Sequence, residues 1–204
     1  MPINESARVE GARAEVVYIG YPSEDHALEI LFEICKRHQW KLNIIGDSPY
    51  LQSIISLAPP GTVFHGVQSD NRRIQEVIVR CFCGYAVYLC TGPASYSYYG
   101  FPSKTLAYLS NDTPFVTTDT NFFSAEFERF QIARVVEPQM AAIEEAMLQI
   151  RAHYSEFAEA IRRFRKDWNS DSLKFHQDRF TELGYFENDE LNNNTQSAGK
   201  TNTV

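Results

Sequence analysis

The sequence predicts an α/β fold: a Rossmann-like, doubly wound parallel sheet of about six strands, followed by C-terminal helices. Six short apolar runs, typical of buried strands, alternate along the chain with segments of helical periodicity. Because crossovers between parallel strands are right-handed, this alternation leads to a doubly wound order. The chain has 204 residues and is 44% hydrophobic, which is enough for one domain with a substantial core.

The first half of the chain alternates three strands with three helices. The strands are predicted over residues 15–20, 41–46 and 62–66, and each ends in a glycine. The helices are predicted over residues 24–38 after a Ser23 cap, 49–56, and 71–80 after an Asp70 cap. The helical residues expected to face the core are Ala27, Ile30, Leu31, Ile34, Leu51, Ile54, Ile55, Ile74, Val77 and Ile78.

The second half continues the alternation. Strands are predicted over residues 86–89, 115–118 and 132–136, and a short helix over residues 125–130. Another short helix begins near Pro102, because proline suits the first helical turn. Leu106 and Leu109 are expected to face the core from this helix, and Asn111 is expected to adopt the left-handed conformation that ends it.

Beyond Pro138 the pattern becomes helical, with one helix or two helices broken near Ser155, packed on the sheet edge or on a neighbouring domain. The apolar stripe consists of Ile143, Met147, Ile150, Tyr154, Phe157, Ile161 and Phe164. A last helix is predicted over residues 171–186. The predicted domain organisation is a tail or linker stub at 1–14, a Rossmann-like domain at 15–138, C-terminal helices at 139–186 and a disordered tail at 187–204.

Composition excludes several classes of protein. The net charge of −7 is unfavourable for a nucleic-acid binder. No run approaches the roughly 20 apolar residues of a membrane span, and the first residues lack the apolar region of a secretory signal. A cytoplasmic protein with reduced cysteines is therefore expected. Cys81 and Cys83 have no matching pair of potential metal ligands elsewhere, so no metal and no cofactor are predicted.

Lys104 is the unusual residue in this sequence. It falls in the first turn of a predicted helix, where the helix dipole disfavours a cation. Two interpretations are open: a solvated surface lysine, or a lysine that shares a bound phosphate with the unpaired N–H groups of the helix. In an open α/β sheet, ligands bind at the carboxyl ends of the strands. Those ends include Gly20, Gly46 and the loop that leads to Lys104.

The motif Gly-x-Pro-x-Lys-x-x-x-Tyr-Leu-x-x-x-x-Pro-x-Val, which begins at Gly100, resembles the donor-side signature of GT-B glycosyltransferases. The resemblance extends over residues 16–138 and is closest to a GT4-like branch that includes bacterial glucosyl- and galactofuranosyltransferases. In that family, the second of two Rossmann-like domains binds a nucleotide-sugar. The resemblance therefore implies that this chain forms one half of a GT-B fold and binds a nucleotide-sugar.

The resemblance also implies site residues. Gly46 corresponds to the glycine that lines the donor cleft, residues 65–67 to the segment whose backbone contacts the nucleobase, and residues 100–104 to the diphosphate-binding loop. The implied nucleotide-sugar site is Gly46, His65, Gly66, Val67, Tyr98, Tyr99, Gly100, Phe101, Pro102, Ser103 and Lys104. The tyrosines, with Tyr96, could stack on a base or sugar, or could form an aromatic patch under another domain. The histidines at 26, 38, 153 and 176 are expected in helices, as surface or core residues.

Three departures from the family pattern are visible. The two positions of its Glu-x7-Glu pair are Tyr99 and Ala107, although the Lys-x-x-x-Tyr-Leu branch also lacks that pair. Residues 21–26, Tyr-Pro-Ser-Glu-Asp-His, stand where many relatives carry an Arg and a Lys. Lys104 and the helix N–H groups then remain as the visible anion stabilisers, and no general base is identified. An acceptor-binding domain is also missing before Glu15.

The sequence thus predicts a donor-binding domain that takes a UDP-sugar and transfers a hexosyl group to an acceptor held by a missing domain, a partner chain or a second copy. Through such a partner it could associate with a membrane surface. The alternative is a degenerate, non-catalytic GT-B-like domain that regulates or scaffolds a glycosyltransferase. A third interpretation, a flavodoxin- or receiver-like domain, is disfavoured because the first strand ends in Gly20-Tyr21 without an acidic cluster.

Overall fold

The computed structural model describes residues 14–90, 103–119 and 123–167, and it confirms the predicted fold class. Six strands form one sheet in the order β3-β2-β1-β4-β5-β6, and every neighbouring pair is parallel. The strands are β1 (Glu15–Ile19), β2 (Lys41–Ile45), β3 (Val63–Phe64), β4 (Cys83–Ala86), β5 (Phe115–Thr117) and β6 (Ala133–Val135). The strand order reverses direction between β1 and β4, which makes the carboxyl ends of these two strands the topological switch point.

Seven helices are described. They are α1 (Leu28–His38), α2 (Pro49–Ile54), α3 (Asn71–Ile78), α4 (Ser103–Ser110), α5 (Ser124–Arg129), α6 (Met140–Ala152) and α7 (residues 154–167). Short 3-10 turns cover Glu24–His26 and Ile55–Leu57. Two of these helices begin with side-chain caps. Asp70, as predicted, accepts from the Arg72 N–H, and Ser48 accepts from the Leu51 N–H.

The core has two parts, one on each face of the sheet. Val16 and Tyr18 of β1 belong to one part, which includes residues of α1, α2 and α6, and Val17 belongs to the other, with residues of α3, α4, α5 and α7. This alternation is the two-residue period of a strand that is buried on both faces. The chain divides into compact units at residues 1–164 and 165–204, and most of the second lies outside the described residues.

Strand β4 begins three residues earlier than predicted. Its pairing is set by Gly84, which lies opposite Val17 of β1 and Phe115 of β5. A side chain at Gly84 would collide with the ring of Tyr108, because a Cβ there would lie 2.6 Å from Tyr108 Cδ2. The sequence around Gly84 predicts a loop before the strand. Gly84 nevertheless lies within β4, because pairing with distant strands overrides the local sequence preference.

Helix α1 also begins later than predicted. Ser23 precedes a 3-10 turn rather than the helix, and Ala27 then adopts a left-handed conformation with φ of 47°. The helix starts only at Leu28, and it ends at His38 as predicted. This left-handed residue redirects the chain and places His26 outside the helix.

Two predicted side-chain orientations and one predicted backbone conformation are wrong. Leu106 is 50% exposed, because α4 buries Lys104, Thr105 and Tyr108 with Leu109 instead. Ile55 is 38% exposed, since it lies in the 3-10 turn that follows α2. The left-handed residue after α4 is Asp112 with φ of 51°, not Asn111, whose side chain instead donates to the Ala107 carbonyl at 2.8 Å.

The C-terminal stripe forms two helices, α6 and α7, and the break lies at His153, near the predicted Ser155. Ile143, Met147 and Ile150 of α6 are fully buried in the core. Glu144 joins α6 to the end of α1, because its carboxylate lies 2.7 Å from both Arg37 Nη1 and His38 Nε2. None of the helices in the described ranges is both long and apolar enough to cross a membrane. The helix predicted at 171–186 and the two tails lie outside those ranges, apart from Ala14.

Candidate functional site

Four side chains meet at the carboxyl ends of β1 and β4: Tyr18 of β1, His26 of the following turn, Tyr88 just beyond β4, and Lys104 of α4. We call them the switch-point cluster. Lys104 Nζ lies 4.7 Å from the Tyr18 ring centroid and 4.6 Å from the Tyr88 ring centroid. The His26 ring packs on the same two rings, at centroid distances of 5.7 and 5.0 Å. Both positively ionisable side chains therefore share one aromatic environment.

Lys104 is not a solvated surface residue. Its side chain is only 6% exposed, and Nζ has no hydrogen-bond partner among the described residues. Burial lowers the pKa of Lys104 to about 7, although the nearby Asp25 acts in the opposite direction. Burial also raises the pKa of Tyr88 to about 12 and raises that of Tyr18 further, so both phenols are neutral. A buried amine without a hydrogen-bond acceptor lowers the stability of the folded state. Such a group is therefore a candidate for a functional role.

His26 has a defined tautomer. Its Nδ1 lies 3.2 Å from the Ser23 N–H, which can only donate, so Nδ1 is the acceptor. The hydroxyls of Tyr18 and Ser23 lie 3.0 and 3.1 Å from the same nitrogen. Burial, together with the charge of Lys104, lowers the pKa of His26 to about 3. The imidazole is therefore neutral at physiological pH and carries its hydrogen on Nε2.

Asp25 connects the two sides of the switch point. Its carboxylate accepts a hydrogen bond from the Cys90 N–H at 2.7 Å, and its carbonyl accepts one from the Leu89 N–H at 2.7 Å. The turn after β1 is thus tied to the segment that follows β4. These two bonds fix the spacing between the segments that carry Tyr18 and Tyr88.

Three glycines, which we call the glycine row, follow β1, β2 and β3: Gly20, Gly46 and Gly66. The Gly20 N–H donates to the Ile45 carbonyl at 3.0 Å, and the Gly46 N–H donates to the Gly66 carbonyl at 2.8 Å. Gly46 has φ of +131°, and a Cβ on it would lie 1.8 Å from the Gly20 carbonyl oxygen. Only glycine fits there, so the row presents backbone rather than side chains at this edge.

The predicted site residues are distributed as follows. Gly46 and Gly66 lie in the glycine row, and Ser103 is exposed at the start of α4 next to Lys104. Val67 is 79% exposed. The His65 ring turns back over the sheet, where its Nε2 lies 3.2 Å from Asn43 Oδ1, and burial lowers its pKa. The remaining predicted residues, Tyr98, Tyr99, Gly100, Phe101 and Pro102, lie outside the described residues, as does Tyr96.

Sequence reasoning missed His26, which it placed on a helix. The signal available was position: His26 stands in the segment after β1, where many GT-B enzymes carry cations.

Lys104 is the only lysine or arginine in the segments that follow β1, β2, β4 and β5, namely residues 20–27, 46–49, 87–104 and 118–123. Across the described part of the chain, no group of three or more His, Cys, Asp or Glu side chains is arranged to hold a metal ion.

No protein-family model matches the sequence, and no curated protein matches it. Solved structures do match. HepE from Anabaena in complex with UDP aligns with a TM-score of 0.64 at 14% identity, covering 85% of this chain and 49% of HepE. Sucrose-phosphate synthase from Thermosynechococcus elongatus aligns with a TM-score of 0.65 at 14% identity, covering 89% of this chain and 48% of the synthase.

A third structure is AviGT4, a glycosyltransferase involved in avilamycin A biosynthesis. It aligns with a TM-score of 0.60 at 16% identity, covering 90% of this chain and 57% of AviGT4. This chain thus spans about half the length of HepE and of the synthase, 49% and 48% respectively. At such low identity the similarity concerns the fold. The chain has the Rossmann-like α/β fold of a GT-B glycosyltransferase domain.

Proposed function

We propose that this chain is the donor-binding domain of a GT4-like glycosyltransferase of the Pro-x-Lys-x-x-x-Tyr-Leu branch. It binds a nucleoside-diphosphate sugar, a UDP-sugar in particular, for hexosyl transfer. The acceptor is held by another domain, by a partner chain or by a second copy of this chain. The transfer breaks the bond between the sugar C1 and the diphosphate oxygen, so the domain must stabilise a diphosphate leaving group.

The observation that carries this proposal is Lys104 Nζ, which is buried at the switch point without a hydrogen-bond partner among the described residues. Open α/β sheets bind ligands at this point, and the start of helix α4 adds the positive end of a helix dipole. A phosphoryl oxygen beside Nζ would supply an acceptor that the described residues do not offer to Lys104. In this arrangement Lys104 and the α4 N–H groups hold the departing diphosphate, while the glycine row lets the nucleoside approach the backbone closely.

The matched structures support the choice of ligand. HepE was solved with UDP and with UDP-glucose, and TarM from S. aureus was solved with UDP. These ligands belong to those proteins, and at 14% identity they guide the choice of probe for this one. No general base is assigned, because the acceptor side of the reaction is proposed to lie on the other domain or chain.

The test is calorimetric titration of the chain with UDP, GDP and ADP. We expect selective binding of UDP, and a loss of roughly 10- to 100-fold in affinity in Lys104→Ala, as for a charged hydrogen bond. Lys104→Met keeps the packing between the two rings and should lose affinity equally. Lys36→Ala, on the exposed face of α1, is the matched control and should bind like the wild type. UDP affinity that is unchanged in both Lys104 variants would refute the assigned role.

The second candidate is a non-catalytic GT-B-like domain that regulates or scaffolds a glycosyltransferase. The segment after β1 favours it, because Glu24 and Asp25 stand where many relatives carry cations. Asp25 also uses its carboxylate for structure, on the Cys90 N–H. Failure of all three nucleotides to bind would favour this candidate. Turnover of UDP-glucose by this chain together with a co-purified partner would argue against it.

A further inference from the structure

We propose that Lys104 takes up a proton when a phosphoryl oxyanion binds beside it, so that the site captures its ligand together with a proton. This inference rests on the proposed function, because it concerns the same ligand at the same side chain. It adds that binding is coupled to pH and that the coupling resides in one residue.

The geometry around Lys104 disfavours the protonated form of the free amine. Lys104 Nζ lies between two neutral phenol rings, with Cε and Nζ 3.5 and 4.0 Å from where a Cβ on Gly20 would lie. No oxygen or nitrogen of the described residues accepts a hydrogen bond from it. Ring faces attract a cation, but they do not replace the hydration that an ammonium group loses on burial. The neutral amine is therefore a substantial population near neutral pH, in line with its pKa of about 7.

Within residues 14–90, 103–119 and 123–167, four ionisable groups face Lys104 from the surrounding elements. Tyr18 and Tyr88 are neutral phenols, and His26 is a neutral imidazole that would repel the ammonium only if it were protonated. Asp25 is the one carboxylate that favours the ammonium, and its Oδ1 already accepts from the Cys90 N–H. The described surroundings thus offer Lys104 one partial counter-charge, and a bound phosphoryl group would provide a direct one.

The proton balance follows from this arrangement. In the free protein near pH 8, Nζ is mostly –NH2. When a phosphoryl oxyanion enters, the ion pair stabilises –NH3⁺, and the Nζ lone pair binds one proton released by a buffer acid in the solvent, with no other bond of the protein or the ligand made or broken. Affinity should therefore be nearly constant below about pH 6. It should fall close to tenfold per pH unit above about pH 8, until the ammonium of the complex itself begins to lose its proton.

The experiment is calorimetric titration with UDP-glucose, whose phosphodiester groups do not titrate in this range, in buffers of different ionisation enthalpy. The wild type should take up about 0.9 proton per ligand near pH 8 and about 0.1 near pH 6, as expected for a group with a free pKa of about 7. Asp25→Asn removes the favourable carboxylate and should shift the onset of uptake to lower pH. Lys36→Met, on an exposed helix face, should behave as the wild type.

Lys104→Arg provides the decisive comparison, because an arginine keeps its charge throughout this range. If it binds UDP-glucose, its affinity should not depend on pH and it should take up no proton. Wild-type binding without proton uptake near pH 8 would overturn this inference and leave the proposed donor site standing. Uptake that persists in Lys104→Arg or Lys104→Met would assign the proton to another group and would also overturn it. Absence of UDP-glucose binding at every pH would overturn both proposals.

Discussion

Among the polar side chains that helix α4 buries, Lys104 and Tyr108 lie one turn apart and have opposite surroundings. The Tyr108 hydroxyl lies 3.0 Å from the Tyr85 carbonyl and 3.2 Å from the Val17 carbonyl, so it has acceptors on both central strands. Lys104 Nζ has none among the described residues. Each side chain packs against a glycine: Tyr108 against Gly84 and Lys104 beside Gly20.

This difference in hydrogen-bond acceptors distinguishes Tyr108, a structural polar group, from Lys104, a candidate functional group. A buried hydroxyl with its acceptors in place contributes to stability, whereas a buried amine without an acceptor reduces it. Polar groups that cost stability are concentrated at binding and catalytic sites. On this helix, therefore, the second turn fastens α4 to the sheet, and the first turn carries the side chain that we propose as a ligand-binding group. Substitutions on α4 and in the residues that surround it test this contrast.

Gly84→Ala should have the largest destabilising effect. A Cβ at residue 84 would lie 2.6 Å from Tyr108 Cδ2, and the fully buried ring has no room to move. We expect a loss of about 3 kcal/mol in the free energy of unfolding, measured by urea denaturation. Gly20→Ala is the counterpart beside Lys104. Its Cβ would meet Lys104 Cε at an ordinary 3.5 Å, so the cost should come only from its φ of +129°. An equal loss in the two variants would contradict this distinction.

Lys104→Met should stabilise the protein by roughly 1 to 4 kcal/mol near neutral pH, because an apolar chain of similar length replaces the buried amine. The folded pKa of about 7 lies below the ordinary value of 10.5, so the unfolded state binds more protons between these values. Wild-type stability due to this group therefore rises from about pH 7 to about pH 10.5, and the advantage of the variant should shrink over that window. Denaturation near pH 6.5 and pH 9.5 measures both effects. A destabilised Met variant would mean that Lys104 has a structural role.

Tyr108→Phe should destabilise the protein by about 1 kcal/mol, since it removes one hydroxyl that bonds to backbone carbonyls and leaves the ring packing unchanged. It should not alter UDP affinity, whereas Lys104→Met should abolish most of it. Thermal and urea denaturation with a UDP titration distinguish the two residues. Reduced UDP affinity in a Tyr108→Phe variant that still folds would contradict a purely structural role for Tyr108.

His26 should give the smallest effect. Its folded pKa of about 3 lies below the ordinary 6.5, so the stability it contributes is lost as the pH falls from about 6.5 towards 3. His26→Asn keeps an acceptor near the Ser23 N–H and cannot titrate. The stability difference between wild type and variant should change by less than about 1 kcal/mol between pH 6 and pH 5, because the ring is partly solvated. A difference that does not vary with pH would show that His26 titrates normally.

The fold was predictable because five of the strands coincide with short apolar runs and helical periods separate them. The error at β4 shows where such prediction stops. Cys83-Gly84-Tyr85 looks weaker as a strand than residues 86–89, yet pairing with Val17 and Phe115 selects it. Leu106 illustrates the same limit. The helical period alone does not determine which side chains of α4 face the core, and Tyr108 is buried there whereas Leu106 is exposed.

The candidate site was predictable only in part. Lys104 stood out from its position near a helix start, but its burial depends on Tyr18 and Tyr88, which come from distant segments. His26 was misplaced because the helical pattern appeared to begin at Ser23, and the left-handed Ala27 that interrupts it has no sequence signal. The backbone geometry at Gly46 admits no other residue, which explains the glycine at this strand end, while a ligand-binding role for this edge stays a prediction.

The glycine row has a consequence for the thermodynamics of recognition. A ligand that rests on Gly20, Gly46 and Gly66 contacts backbone already held by the bonds to Ile45 and between Gly46 and Gly66. No side-chain rotamers need to be ordered there, which elsewhere costs about 0.5 to 1.5 kcal/mol for each flexible side chain. This part of the surface is thus preorganised, and the entropy lost on association should come mainly from the ligand itself.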